Sequence, residues 1–320
     1  MSAEWLVKNV TYRPHCYICF TWDNSVRFLF STLQPFPRWD CFYWQLLESL
    51  RARIGDNAGF DSSLIQHLTL FTENPDGEYP NQDVVWEKFE KAFIAAAGLI
   101  THAPVLRDYI YQGLEELHRD NVMYLELRSG LSRTYELDGT IHDKIWTLKL
   151  FQEVTSKFKQ NYPEFFGARI IISVHRYNMT RSNRFTDKAK EIHAGSIKWE
   201  PYVVAGFDMV GRENSGRTLW DFREALSLPA ELGASLPYFF HAGETGQSPY
   251  VRESLKIKMQ PQMQSFGLGG KKAFLPCLPE LAVAVSCFRL TAKVVAPPHP
   301  VVIGLPAATQ RRYSPAWISE

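Results

Sequence analysis

Four short apolar runs, spaced by helical patterns and each closing on polar residues, constrain this chain more than any other feature. They are Val122-Met-Tyr-Leu-Glu-Leu-Arg128, Ala168 to Arg176, Val203 to Gly211, and Tyr238 to Phe240 leading into His241. Runs of this length with apolar residues on both parities suit strands buried on both faces. Helical spacing separates them: Val85, Phe89, Phe93 and Ile100, then Leu106, Ile110, Leu114 and Leu117 precede the first run. Ile145, Leu148, Phe151, Val154 and Phe158 follow it. A polar helical stretch is expected near Phe185 to Ala194, and a helix from Thr218 to Leu226. Strand–helix alternation predicts βαβ units and a parallel sheet, hence an α/β fold.

The polar residues fall where such a sheet carries chemistry. Glu126 and Arg128, His175 and Arg176, Asp208 and Gly211, and His241 and Glu244 sit at the C-terminal ends of successive strands, the rim that holds the active site in a (β/α)₈ barrel. Each has an ordinary reading taken singly. Glu126 and Arg128 pair as ions, His175 is a satisfied strand-end histidine, and His241 and Glu244 cap a loop. Four strands in a row ending this way point to a site. A histidine and a glutamate three residues apart, His241 and Glu244, suit metal-assisted hydrolysis, because the imidazole can ligate zinc and the carboxyl group can move protons.

Residues 1 to about 75 have a different character. Aromatic residues from Trp5 to Trp44 are scattered among turn residues; Val26 to Phe30 reads as a short strand and Cys41 to Ile54 as a helix. Cys16-x-x-Cys19 lacks the second pair or the histidines of a zinc finger, so a single disulfide from this pair to Cys41 is expected, which requires an oxidising compartment. Asn9-Val-Thr11 and Asn178-Met-Thr180 are glycosylation sequons. With 35 basic and 34 acidic side chains, net +1, nothing calls for nucleic acid or an anionic membrane. No run approaches the ~20 apolar residues of a membrane span, and the opening Met1-Ser-Ala-Glu-Trp-Leu-Val is not a signal peptide.

Residues 4 to 20 (Glu4-Trp-Leu-Val through Cys-Tyr-Ile-Cys-Phe20), Val84-Val-Trp86, Tyr124-Leu-Glu-Leu-Arg128, Val203-Val-Ala-Gly-Phe-Asp-Met-Val-Gly211 and His241-Ala-Gly-Glu244 together resemble the adenosine deaminase-related growth factor family, a secreted branch of the adenosine deaminase superfamily. The likeness covers roughly residues 4 to 245. It implies a (β/α)₈ barrel with zinc at its rim, about half of whose strands lie in this chain. Residues from about 12 to 70 match the branch's receptor-binding insertion, which implies a cell-surface receptor or a glycosaminoglycan as partner. The resemblance maps the disulfide to Cys19 and Cys41, leaves Cys16 unpaired, and places a glycan on Asn9.

The implied activity is hydrolysis of adenosine to inosine. Zinc lowers the pKa of a bound water, and the hydroxide attacks the purine carbon that carries the amine. By resemblance His241 is a zinc ligand and Glu244 protonates the purine ring nitrogen. The Gly211 backbone approaches the purine, Trp86 borders the nucleoside pocket, and Asp208 and His175 stand close behind. The match is incomplete. The family's His-x-His pair would lie before Glu4, and none of the nine histidines forms such a pair. Only His299 follows His241, and no aspartate follows Asp221, so three of the four expected zinc ligands are missing. A family-type dimer is not expected either, because the helices that form it would precede Met1.

From Gly246 to Glu320 the alternation stops. This stretch holds nine of the nineteen prolines and nine Lys/Arg against three Glu, a net of about +6. Prolines at that density break helices and central strands. The break is read as a reading-frame change, retained intron or alternative exon after Thr245, the alternative being a natural basic tail. The expected organisation is therefore an N-terminal segment over 1–75, a partial barrel over 76–245 and a divergent tail over 246–320. Impaired catalysis is expected, with a non-enzymatic growth-factor-like or decoy role as the alternative.

Overall fold

The computed structural model describes residues 2–175, 203–212, 219–231 and 236–241. The helix expected near Phe185 to Ala194, the sequon at Asn178, Glu244 and the stretch after Thr245 lie outside them.

The chain opens with a helical turn α1 (Ala3–Trp5) that widens into a π-helix over Leu6–Val10. Strands β1 (Cys16–Phe20), β2 (Val26–Phe30) and β3 (Gln45–Leu46) form an antiparallel sheet in the order β2-β1-β3. Helices α2 (Leu47–Ile54) and α3 (Asn57–Gln66) follow, then a short α4 (Pro75–Glu78). Cys19 and Cys41 are disulfide-bonded with their Cα atoms 6.0 Å apart, and Cys16 is a buried free thiol whose pKa burial pushes up to about 12. The helix expected from Cys41 begins only at Leu47. Cys41 is tied to β1 and exchanges backbone hydrogen bonds with Arg38, of 2.7 and 3.0 Å, which leaves no helical start there.

A buried polar cluster holds the first helices together. Arg51 pairs with Asp61 at 2.8 Å, donates to the Thr11 carbonyl at 2.9 Å and to its hydroxyl at 2.7 Å, and lies 3.8 Å over the Tyr12 ring. The Tyr12 hydroxyl donates to the other Asp61 oxygen at 2.7 Å. Each strong polar group finds partners, which is the condition for burying a charge without large cost.

Helices α5 (Gln82–Ile100) and α6 (Ala103–Arg119) lead to β4 (Tyr124–Ser129). A small ribbon of β5 (Thr134–Tyr135) and β6 (Ile141–His142) precedes α7 (Lys144–Asn161), β7 (Gly167–His175) and β8 (Val204–Val210). A 3₁₀ turn over Leu219–Phe222 runs into α8 (Arg223–Glu231). Asn81 and Asp143 cap α5 and α7 by accepting from the amides of Val84 and Trp146. On α5 the expected apolar face is rotated: Phe93 is 59% exposed, and the buried residues are Trp86, Ala95 and Leu99. The reason is close packing on β2. A Cβ on Gly98 would lie 2.4 Å from the Phe28 carbonyl, so this helix meets the sheet through its small residues.

Strands β4, β7 and β8 form a parallel sheet in that order, as the alternation predicted. The run expected as the next strand lies parallel beside β8 at a single bridge: Phe207 N donates to the Pro237 carbonyl and Phe239 N to the Phe207 carbonyl, both at 2.9 Å. Side chains alternate across a strand. Leu125, Ile170, Ile172, Val174, Phe207 and Met209 therefore meet the helices, packing with Leu114, Leu148, Phe151 and Phe158. The opposite face carries Tyr124, Glu126, Arg128, Arg169, Ser173, His175 and Asp208. A second core joins Val7, Ile18 and Phe28 to Ala95, Leu99 and Val105.

Candidate active site

The C-terminal end of the parallel sheet gathers Arg128, Asp208 and His241. In the register, Arg128 lies opposite Ile171 and Asp208 opposite Ser173, so Arg128 stands across β7 from Asp208 and two residues short of it on the same face. Its guanidinium reaches across, with Nε 2.6 Å from Asp208 Oδ2. The Asp208 side chain is 0% exposed. Its Oδ1 accepts from the amides of Met209 at 2.7 Å and His241 at 3.2 Å. Its Oδ2 also lies 2.7 Å from His241 Nδ1; that contact has the distance of an ion pair, while its angle falls outside hydrogen-bond geometry. Asp208 thus grips His241 at both backbone and ring, and the carboxylate is occupied by protein groups on all sides. Since Nδ1 faces Asp208, the geometry of the imidazole turns Nε2 away from it.

His175 and Gly211 form a second contact at the same end. Gly211 has φ +95°, a left-handed conformation that favours glycine, and a Cβ there would fall 2.6 Å from His175 Nε2. The adjacent Arg212 is in ion-pair contact with Asp83, in the first turn of α5. That contact brings the start of α5 to the end of β8. Trp86 lies on the next residues of this helix, buried and edge-to-face with Phe89 at a centroid distance of 5.3 Å.

Glu126 does not pair with Arg128. It accepts a hydrogen bond from the Tyr124 hydroxyl at 2.9 Å, and burial together with this bond raises the tyrosine pKa. Arg128, placed at the rim by the sequence and read there as the ion-pair partner of Glu126, pairs with Asp208 instead. The sequence signal for the pair was an arginine near the end of one apolar run and an aspartate near the end of another. Asn9 is exposed, and its side chain donates to the Trp5 carbonyl at 3.2 Å.

An imidazole backed by a carboxylate is a ligand type that zinc uses. A catalytic zinc normally takes three protein ligands. Among the described residues no group of three His, Cys, Asp or Glu could hold a metal ion. The described residues therefore supply one suitable donor and do not compose a zinc site. Among the described residues, no helix is long and apolar enough to cross a membrane.

The chain is similar to adenosine deaminase 2-A of Danio rerio, 47% identical over 284 residues, which are 88% of this chain and 56% of that protein. It is similar to adenosine deaminase 2 of Homo sapiens, 46% identical over 252 residues, 77% of this chain and 47% of that protein. It is 34% identical over 243 residues to an adenosine deaminase of Aedes albopictus. The chain spans about half the length of the curated relatives it matches. No family model matches the chain. Among solved structures, the N6-methyl-AMP deaminase of Arabidopsis thaliana superposes with a TM-score of 0.41 at 18% identity, covering 66% of this chain and 56% of that one. An Arabidopsis ADAL complex with IMP gives 0.40 at 20% identity, covering 54% of this chain and 49% of the other.

Proposed function

Because the chain belongs to the adenosine deaminase 2 family, we propose that its strand ends form part of an adenosine site inherited from an enzyme that hydrolyses adenosine to inosine, and that this chain by itself is catalytically impaired. The observation that carries the reading is the double hold of Asp208 on His241, three residues before Glu244. His241 is the residue offered to a metal. Glu244 is the proton donor to the purine ring nitrogen, Gly211 and His175 are the surface met by the ring, and Trp86 borders it. Zinc is the cofactor the family reading calls for. The described residues do not make up its site, so no hydrolytic step is assigned to the chain.

The polar face of β4, β7 and β8, with helices on the other side, supports reading the sheet as about half of a (β/α)₈ barrel. In the same reading residues 1–75 are the insertion-bearing segment, 76–245 the partial barrel and 246–320 a divergent basic tail. The Cys19–Cys41 disulfide supports an extracellular setting, in which Asn9 is the glycan acceptor.

The test is adenosine deamination by the purified chain with zinc present, followed as the absorbance change on conversion to inosine, beside Glu244→Ala. Turnover no greater than that of the variant is expected. Turnover that disappears in the variant overturns the impairment.

A second reading has its own observation. Trp22, Phe36 and Trp39, on the loops that connect the strands of the disulfide-closed sheet, are 85%, 88% and 81% exposed, large aromatic side chains open to a partner. In this reading the chain acts without catalysis, as a growth-factor-like or decoy ligand for a receptor or glycosaminoglycan. Binding of the intact, disulfide-bonded chain to cells or heparin, unchanged by Glu244→Ala, is the expected result. Absence of binding by a folded sample counts against it.

A further inference from the structure

We infer that Arg128 is a positioning residue: through Asp208 it fixes the ring orientation and the tautomer of His241, with the proton on Nδ1 and the lone pair on Nε2. The inference deepens the reading of this end of the sheet as a deaminase site and takes its purpose from it.

The close approach of the carboxylate favours a proton on Nδ1 of the neutral ring, although its angle is not that of a hydrogen bond. A carboxylate oxygen 2.7 Å from a ring nitrogen is repelled by a lone pair at that distance and attracted by an N–H. The tautomer of a histidine is set by what its other nitrogen meets. Asp208 can impose this choice because it cannot turn elsewhere. It is fully buried, its Oδ1 is held by two backbone amides, and its Oδ2 is held by Arg128 Nε at 2.6 Å. Around a fully buried carboxylate these interactions are stronger than at the surface. The amide of His241 is bound to the same carboxylate, so ring and backbone are fixed by one group. Arg128 presents Nε–H in the rigid plane of a guanidinium; a lysine at this position keeps the charge but not the planar donor. Removing the donor leaves Asp208 with backbone amides alone, and the carboxylate swings away from the ring.

The test uses the full chain labelled with ¹⁵N in its histidines, with ring-nitrogen shifts recorded at alkaline pH, where the imidazole is neutral. His241→Gln identifies the signal. In the wild-type chain the Nδ1–H form is expected to be the majority form, because the anion at Nδ1 disfavours a lone pair there. Arg128→Gln is expected to lose most of that excess, and Arg128→Lys to recover part of it. Unchanged shifts for His102 and His118, which pack elsewhere, show that a variant is folded. Should Arg128→Gln fail to fold, Arg128→Lys reads the same effect at smaller size. A wild-type His241 in the Nε2–H form, or a folded Arg128→Gln with the wild-type tautomer, overturns the proposal. Adenosine turnover plays no part in this measurement, so a chain that deaminates nothing leaves the test intact.

Discussion

The imidazole of His175 occupies the space that a side chain on Gly211 would need: a β-carbon there would lie 2.6 Å from Nε2 and 2.7 Å from Cε1. The two residues end neighbouring strands, and β8 leaves the sheet through this contact.

Gly211→Ala combines that clash with a left-handed φ of +95°. The expected loss of stability is about 1–3 kcal/mol, read by urea unfolding. Adding His175→Ala removes the clash but not the backbone strain, so the double variant should recover part of the loss. Full additivity of the two changes would show that they do not touch.

Asp61→Ala leaves the Arg51 guanidinium buried without its carboxylate and removes the acceptor of the Tyr12 hydroxyl. Breaking a buried pair from one side costs about 3–5 kcal/mol. Chemical denaturation should show that loss, and Asp61→Asn a smaller one, because the amide oxygen still accepts. A change below 1 kcal/mol or so would mean water reaches the guanidinium.

His102 gives the core that joins β2 to α5 a pH dependence. Its ring stacks on Phe30 at 4.5 Å and its Nδ1 lies 3.1 Å from the Tyr135 carbonyl, with Glu136 and Arg13 the nearest charges. Burial holds its pKa below the ordinary 6.5. Between the folded value and 6.5 the unfolded chain binds more protons, so stability falls as pH drops through that window and is flat above it. Thermal melts between pH about 8 and about 5 should fall less steeply for His102→Gln than for the wild type. Identical slopes would assign the pH dependence to other groups.

The disulfide joins residues 22 apart in sequence. Loop closure of that length stabilises the folded chain by about 3 kcal/mol. Cys19→Ala with Cys41→Ala should lower stability by about that amount and expose Trp44, which shares a buried cluster with the two cysteines, to fluorescence quenchers.

Much of this architecture is legible in the sequence, because period and burial agree. Phe151, Val154 and Phe158 mark the inner face of α7, and the apolar runs read as ending at Arg128, Arg176 and Gly211 hold the three parallel strands. What escapes is set by contacts distant in sequence. Arg128 and Asp208 are 80 residues apart, and only the sheet register makes them neighbours, whereas Glu126 beside Arg128 suggests a local pair that does not form. Cys41 looks helical until its bond to Cys19 holds it extended. Phe93 looks like core until Gly98 shows which side of α5 faces β2. The cysteine spacing left Cys16 and Cys19 open as partners of Cys41, and family resemblance decided between them.

The contact of Gly98 with Phe28 has a consequence for dissecting the chain. Val7, Ile18 and Phe28 bury themselves against Ala95, Leu99 and Val105. A fragment that stopped near residue 75 would carry the disulfide and the exposed aromatic residues but lose the part of the helical wall that α5 and α6 supply. The smallest autonomous piece therefore extends through α5 into α6. Grafting the exposed aromatic residues onto another scaffold would require transplanting that wall with them.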